Sequence, residues 1–189
     1  MTKRITISIL DAMKASGDKF VMITAYDATF ARLASEAGAE TILVGDSLGM
    51  VLQGHETTIP VSLDAMAYHT ECVARARPHS LIVADLPFMS FSNSDDTLHA
   101  STRLMQAGAQ MVKLEGGTWL SDSIHRLVER GVPVCAHLGL TPQSVNVFGG
   151  YRVQGRTPKE AKSILADAVE IQDAGASLLV LECIPAELA

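Results

Sequence analysis

Four apolar runs in this 189-residue chain end in an acid: ETILVGD at Asp46, LIVAD at Asp85, MVKLE at Glu115 and LLVLE at Glu182. A carboxylate is costly to bury, so an acid repeated at one end of segments suited to a buried strand calls for a chemical use. Carboxylates gathered at one place repel each other by on the order of 4 kcal/mol for a pair at about 4 Å and intermediate dielectric. A proton or a hard divalent cation relieves that repulsion. All-oxygen ligands with no converging Cys/His set select Mg²⁺ or Mn²⁺ over zinc, and Mg²⁺ keeps waters and substrate oxygens beside a few carboxylates. Asp46, Asp85 and Glu115 are the candidate metal ligands, partly through water. Each acid alone also suits a helix cap or a pair with a loop arginine, an alternative that weakens when three recur in register.

Other side chains share this end. Strand alternation puts Ile42, Val44 and Asp46 on one face, and likewise Leu81, Val83 and Asp85, and Met111, Lys113 and Glu115. Lys113 there suits the carboxylate of an anionic substrate, or a salt bridge to Glu115. Glu182 has no basic neighbour in sequence, so a raised pKa and proton transfer are expected of it; the alternative is an exposed acid beyond the core. Ser47 has no sequence-local base and fits a substrate hydrogen-bond donor better than a nucleophile. His137 ends VPVCAH. A lone strand-end histidine is more often a satisfied hydrogen-bonding residue, so it stays outside the catalytic set. In TAYDATF, Tyr26 can line the mouth, and Asp27 suits the cap of the next helix.

The elements that must hold these groups follow from the period of the apolar residues. Strands are expected near 21–26, 41–46, 81–85, 111–115, 133–137 and 178–182. The clearest helices are SLDAMAYHTECVARAR, SDDTLHASTRLMQAGA, LSDSIHRLVERG and TPKEAKSILADAVEIQDAG. Ser62, Ser94 and Thr157 are their expected N-caps, and Gly108, Gly131 and Gly175 their stops. EAGAET, QAGAQM and DAGASL each close a helix and open a strand. This alternation means a parallel α/β fold, and the repeat favours a β/α barrel, although periodicity alone leaves an open sheet possible. In either fold the strand C-termini form the binding face, which is where all four acids sit. The two long connections, 47–61 and 138–158, follow strand ends, where binding loops belong. The Gly-rich GGYRVQG lacks the P-loop ending and the dinucleotide spacing and reads as a turn-rich loop.

Composition narrows the class. With 48% hydrophobic residues the chain can bury one substantial core, so a single domain over 1–189 is expected. A net charge of −6 without a Lys/Arg cluster argues against nucleic-acid or anionic-membrane partners. The first twenty residues carry an apolar patch broken by Asp11 and Lys14, which suits neither a signal peptide nor a membrane span and points to the cytoplasm. Cys72, Cys135 and Cys183 are odd in number and far apart, so reduced, packed thiols are expected rather than disulfides or a zinc knuckle.

GDSLGMVLQGHETTIPV, VADLPFMSF, VKLEGG, HLGLTPQSV, GGYRVQGR and LVLECIP run in order across nearly the whole chain. Together they resemble the ketopantoate (3-methyl-2-oxobutanoate) hydroxymethyltransferase family. The resemblance implies a β/α barrel of the phosphoenolpyruvate mutase and isocitrate lyase type, with six of about eight strands present and about two further β/α units expected beyond Ala189. It implies that Asp46, Asp85 and Glu115 hold one Mg²⁺, that Asp46, Ser47, Asp85 and Lys113 contact substrate, and that Glu182 accepts the proton. It also implies aldol-type transfer of a one-carbon unit from 5,10-methylenetetrahydrofolate to 3-methyl-2-oxobutanoate, giving 2-dehydropantoate on the way to pantothenate and coenzyme A. A homodecamer goes with the family.

Two other functions remain open at this level. A related Mg²⁺-dependent 2-oxo acid lyase would share the acids, but the Lys-Lys-Cys-Gly-His-like loop of such lyases is absent from the sequence. A shortened chain that keeps the pocket and only binds is the other.

Overall fold

The computed structural model describes residues 4–189. Its elements alternate as the periodicity requires. They run α1 (Ile7–Ser16), β1 (Met22–Thr24), α2 (Ala28–Glu36), β2 (Thr41–Val44), α3 (Leu48–Val51), α4 (Leu63–Arg75), β3 (Leu81–Asp85), α5 (Ser94–Gln106), β4 (Met111–Glu115), α6 (Ser121–Glu129), β5 (Val134–Gly139), α7 (Val145–Phe148), α8 (Pro158–Asp173) and β6 (Leu178–Glu182). All five strand pairings are parallel, and the strands lie in sequential order from β1 to β6. A doubly wound open sheet reverses its order part-way, whereas sequential order throughout belongs to a barrel. The sheet is a curled half-barrel of six strands.

Its two faces divide the apolar residues. Ile42, Val44, Ile82, Ala84, Val112, Leu114, Val134 and Ala136 face the helices, where Met66, Leu104, Ile124, Leu127 and Ile171 complete the main core. Burying side chains of this size stabilises the fold by about 1.5–3 kcal/mol each. The inner face is smaller: Leu81, Val83, Met111 and Cys135 pack with Met22, Leu43, Leu178 and Val180, and with Ile5 and Ile7 from the start of the chain. No helix is expected there from the apolar period, yet Ile7–Ser16 form α1, whose first residue Ile7 packs with Ile5 against this inner cluster.

Local signals account for most boundaries. Asp27 accepts hydrogen bonds from the backbone of Thr29 and Phe30, and Ser62 from that of Ala65, as expected of caps. Thr157 and Glu160 form a reciprocal capping box. The expected cap of α5 is displaced by one residue: Asn93, not Ser94, accepts from Asp95 and Asp96, which frees Ser94 to bond Asp122 on α6. Gly108 follows α5 at φ +112, where a Cβ would stand 2.5 Å from that of Ala74, so both conformation and space demand glycine. β1 is shorter than 21–26, and β2 stops at Val44, two residues before Asp46. No helix among the described residues is long and apolar enough to cross a membrane.

Candidate functional site

The strand C-termini converge on a cavity of about 640 Å³, including its open mouth, lined by Asp46, Ser47, Asp85, Lys113, Glu115 and Glu182 together with His137. Every nominated site residue is therefore in one place. Asp85, Lys113, Glu115 and Glu182 arrive by alternation from the inner cluster, whose members Val83, Met111 and Val180 lie two or four residues earlier on the same face.

Asp46 arrives differently. Alternation would send it with Ile42 and Val44 towards the helices, and those two residues do pack there. The strand ends first, and the turn through Gly45 swings Asp46 into the mouth, where its backbone N–H donates to Oδ2 of Asp85 at 3.1 Å. Gly45 leaves room for this, since a Cβ there would lie 2.8 Å from the Ser47 hydroxyl and 3.4 Å from the Asp85 carboxylate. Asp46 thus reaches the mouth through a turn and not through strand alternation.

Five ionisable side chains are buried here, none more than 6% exposed: Asp46, Asp85, Lys113, Glu115 and His137. Lys113 pairs with Asp85, its register partner on the neighbouring strand, rather than with Glu115. Burial opposes its charge, but Asp85 and then Glu115 outweigh that and raise its pKa, so it stays an ammonium. Burial, then the charges of Asp85 and Glu115, push the Asp46 carboxyl up to about 7, against the pull of Lys113 and Gln143. One cation does not neutralise this many acids.

The raised pKa expected of Glu182 is overturned. Its side chain is 41% exposed, and Nε2 of His137 lies 3.3 Å from its Oε2. This contact holds its pKa below the ordinary value, more than desolvation raises it. The basic neighbour comes from the adjacent strand, out of reach of a reading of local sequence. His137 also places Nδ1 3.4 Å from Oε1 of Glu115, although neither ring nitrogen has an aligned hydrogen bond. Burial lowers the imidazole pKa, yet the contacts with Glu115 and Glu182 leave it raised overall. His137 thus belongs with the site from which the sequence analysis left it out.

Gln143 is the other omission. Its backbone N–H donates to Glu115 at 3.0 Å, and its side-chain amide donates to Asp46 and to the Leu86 carbonyl, both at 2.9 Å. It ties Asp46, in the turn after β2, and Glu115, at the end of β4, to one segment. Ser47 shares a 2.9 Å hydrogen bond with the Tyr26 hydroxyl, whose pKa is raised by burial, against the Ser47 bond, and by Asp85 and Asp46. Both long loops reach the mouth, meeting where the Tyr151 hydroxyl approaches the Met50 sulfur at 3.6 Å. Among the described residues no three of His, Cys, Asp and Glu stand as a ready-made metal cluster.

The cysteines differ from expectation in part. Cys135 is buried on the inner face and its thiol is pushed up to about 12 by burial, while Cys183 is exposed rather than packed. None of the three is in a disulfide.

The sequence profile of the ketopantoate hydroxymethyltransferase family matches residues 4–189. The chain belongs to the ketopantoate hydroxymethyltransferase family. Membership makes it a transferase by class. The 3-methyl-2-oxobutanoate hydroxymethyltransferase of Colwellia psychrerythraea is 60% identical over 188 residues, which make up 100% of this chain and 71% of that protein. That of Saccharophagus degradans is 55% identical, again over 100% of this chain and 70% of its own length. This member of the family therefore spans about 70% of the length of those relatives. Among solved structures, phosphonopyruvate hydrolase complexed with oxalate and Mg²⁺ superposes with a TM-score of 0.71 at 16% identity, over 94% of this chain and 63% of that one. The 2,3-dimethylmalate lyase of the phosphoenolpyruvate mutase and isocitrate lyase superfamily gives 0.65 at 17%, over 93% and 63%. At such identities the likeness shows the fold, which is the barrel type expected of the hydroxymethyltransferases.

Proposed function

We propose that the chain carries the Mg²⁺-dependent transfer of a one-carbon unit from 5,10-methylenetetrahydrofolate to 3-methyl-2-oxobutanoate, giving 2-dehydropantoate. The observation that carries this reading is a half-exposed carboxylate, Glu182, held ionised by His137 beside a buried ammonium and three buried acids. The donor chemistry suits a hard cation: oxygen ligands from Asp46, Asp85 and Glu115, and an Asp46 whose charge burial and its neighbours suppress. Asp46, Asp85 and Glu115 would hold such an ion together with water and substrate oxygens, since no three of these groups stand as a finished cluster among the described residues. The ion supplies Lewis-acid polarisation of the 2-oxo group when bound.

The residues of the chain do the rest. Lys113, kept cationic by Asp85 and Glu115, draws the substrate carboxylate into the mouth. The Ser47 hydroxyl, which lines the same cavity and is held by that of Tyr26, orients it. Glu182 removes the proton from C3, and the electron pair left behind forms the new bond to the methylene carbon of the donor. Both C–N bonds of the donor's methylene carbon break, water supplies the hydroxyl oxygen, and the two freed nitrogens take up the proton removed by Glu182 and one from water, so that tetrahydrofolate leaves. A carboxylate with a low pKa is a weak base but fully ionised near neutrality, so the mouth must acidify the C–H bond. His137 steadies that carboxylate.

The test is proton NMR of 3-methyl-2-oxobutanoate in D₂O with this chain and Mg²⁺ but no folate. Loss of the C3 proton signal, dependent on Mg²⁺ and absent in Glu182→Gln, is expected; exchange at the buffer rate by the folded protein overturns the reading.

A further inference from the structure

Thr58 lines the same cavity as Asp46, Lys113 and Glu182, yet the chemistry described so far gives it no part. It is 1% exposed, and its Oγ1 has no hydrogen-bond partner among the described residues. A buried hydroxyl has given up its bonds to water, so one left unpaired destabilises the fold and calls for a use. Other buried hydroxyls are satisfied by nearby carbonyls: Thr70 donates to Met66 at 2.7 Å, Thr97 to Asn93 at 2.7 Å and Ser80 to Ala39 at 2.6 Å. Ser101 is also unpaired, but it lies within α5, where a helical hydroxyl can turn onto the carbonyl one turn earlier. Thr58 lies between α3 and α4, where no helical turn supplies such a carbonyl.

The segment that carries Thr58 is packed against α3. The backbone N–H of His55 donates to the Gly49 carbonyl at 2.8 Å, and that of Val61 donates to the Thr58 carbonyl at 3.2 Å. Val61 is buried so close to Gly49 that a Cβ there would stand 2.4 Å from its methyl group and 3.6 Å from the Thr57 carbonyl. α3 follows directly on Ser47, so the two hydroxyls enter the cavity from one packed unit. The Ser47 hydroxyl is already bonded to Tyr26; that of Thr58 is left to the cavity.

We propose that the Thr58 hydroxyl binds a carboxylate oxygen of the 2-oxo acid. The inference rests on the hydroxymethyltransferase reading above. A hydroxyl can donate to an anion without adding charge to a mouth crowded with ionised groups, and the Lys113 ammonium is shared with Asp85. Thr58 and Ser47 belong to the connection after β2, whereas Glu182 ends β6, four strands away in the sheet. A substrate that brings C3 to Glu182 turns its other end, the carboxylate, towards Thr58. That end does not react, so the bond is made equally in the bound substrate and the transition state and sets affinity rather than rate.

Thr58→Val keeps the shape of the side chain and removes the hydroxyl, and Thr58→Ser keeps the hydroxyl. Calorimetry of the whole chain with 3-methyl-2-oxobutanoate in Mg²⁺ is run beside the folate-free deuterium exchange and thermal melting. Thr58→Val is expected to bind about tenfold more weakly and to need about tenfold more substrate for half-maximal exchange. Its limiting exchange rate falls far less, and it melts no lower than the wild type because the unpaired group is gone. Thr58→Ser stays within about threefold of the wild type in affinity. Unchanged affinity in Thr58→Val, or a lower melting temperature without weaker binding, overturns the proposal in favour of a hydroxyl that serves the fold alone. A loss confined to the limiting rate overturns the carboxylate assignment. Binding that depends on the hydroxyl in a wild type that catalyses no exchange leaves Thr58 in place and overturns the reaction, and a wild type that does not bind the 2-oxo acid overturns both.

Discussion

Nε2 of His137 lies 3.3 Å from Oε2 of Glu182, on the next strand, and the contact runs from a 2% exposed ring to a 41% exposed carboxylate. The imidazole supports the ionised form of the base. Replacing it with asparagine in His137→Asn removes that support, so the Glu182 pKa rises towards its ordinary value and less of it is ionised at a given acidic pH. The acid limb of the deuterium-exchange profile moves to higher pH. An unmoved limb in His137→Asn would show that the ring only fills space.

The buried pair of Lys113 and Asp85 gives a prediction about stability. Lys113→Met leaves Asp85, Glu115 and Asp46 without their cation, and breaking a buried pair from one side costs about 3–5 kcal/mol. The double variant Asp85→Asn with Lys113→Met removes both charges and is expected to recover a large part of that loss. Urea unfolding of the wild type, both single variants and the double variant measures the coupling. Additive losses would mean that the pair contributes nothing as a pair.

Much of this site was legible because strand alternation is strict. Asp85, Lys113 and Glu115 could be placed with the inward residues of their strands from their spacing alone, Glu182 could be placed at a strand end, and the EAGAET, QAGAQM and DAGASL repeats carried the parallel order of the sheet. What escaped depends on contacts between segments far apart in the chain. Asp46 enters through a turn, where alternation has no force. The low pKa of Glu182 comes from a histidine 45 positions earlier in the chain, in the register of β5 against β6. Gln143 sits in a single 3-10 turn, Pro142–Ser144, inside a long connection, and no period says that its amide will bridge Asp46 and Leu86. The choice of Asn93 over Ser94 turned on one residue, the scale on which helix ends are least determined by pattern.

Asp46 separates a cation-binding role from a structural one by the sign of two changes. Its carboxyl is pushed up to about 7, first by burial and then by Asp85 and Glu115, so its ionised form strains the metal-free fold. Asp46→Asn keeps an oxygen for the Gln143 amide and removes that charge. In EDTA at pH 8 its melting temperature is expected to rise by about 2–4 °C for each kcal/mol of repulsion relieved. In Mg²⁺ the wild type gains stability with concentration as ligand binding requires, and Asp46→Asn gains far less. A wild type whose melting is indifferent to Mg²⁺ would remove the cation from the proposal.

Away from the mouth, the capping box that starts α8 sets a pH dependence of stability. Glu160 receives the backbone N–H of Thr157, and this bond, with that from Arg156 and the Thr157 side chain, lowers its pKa below 4.5. A carboxylate whose pKa falls on folding contributes stability that is fully present above its unfolded value and is lost as the pH drops through the folded one. In Glu160→Gln that part of the acid-side decline should disappear, while the slope near neutrality stays as it was. Thr157→Ala removes the other half of the box and costs about 1 kcal/mol near neutrality, while the acid-side decline persists in part because the backbone N–H of Thr157 still reaches Glu160. Urea unfolding at pH 3, 4, 5 and 7 distinguishes the two variants. Equal pH slopes in Glu160→Gln and the wild type would mean that the reciprocal bond forms no part of the folded helix in solution.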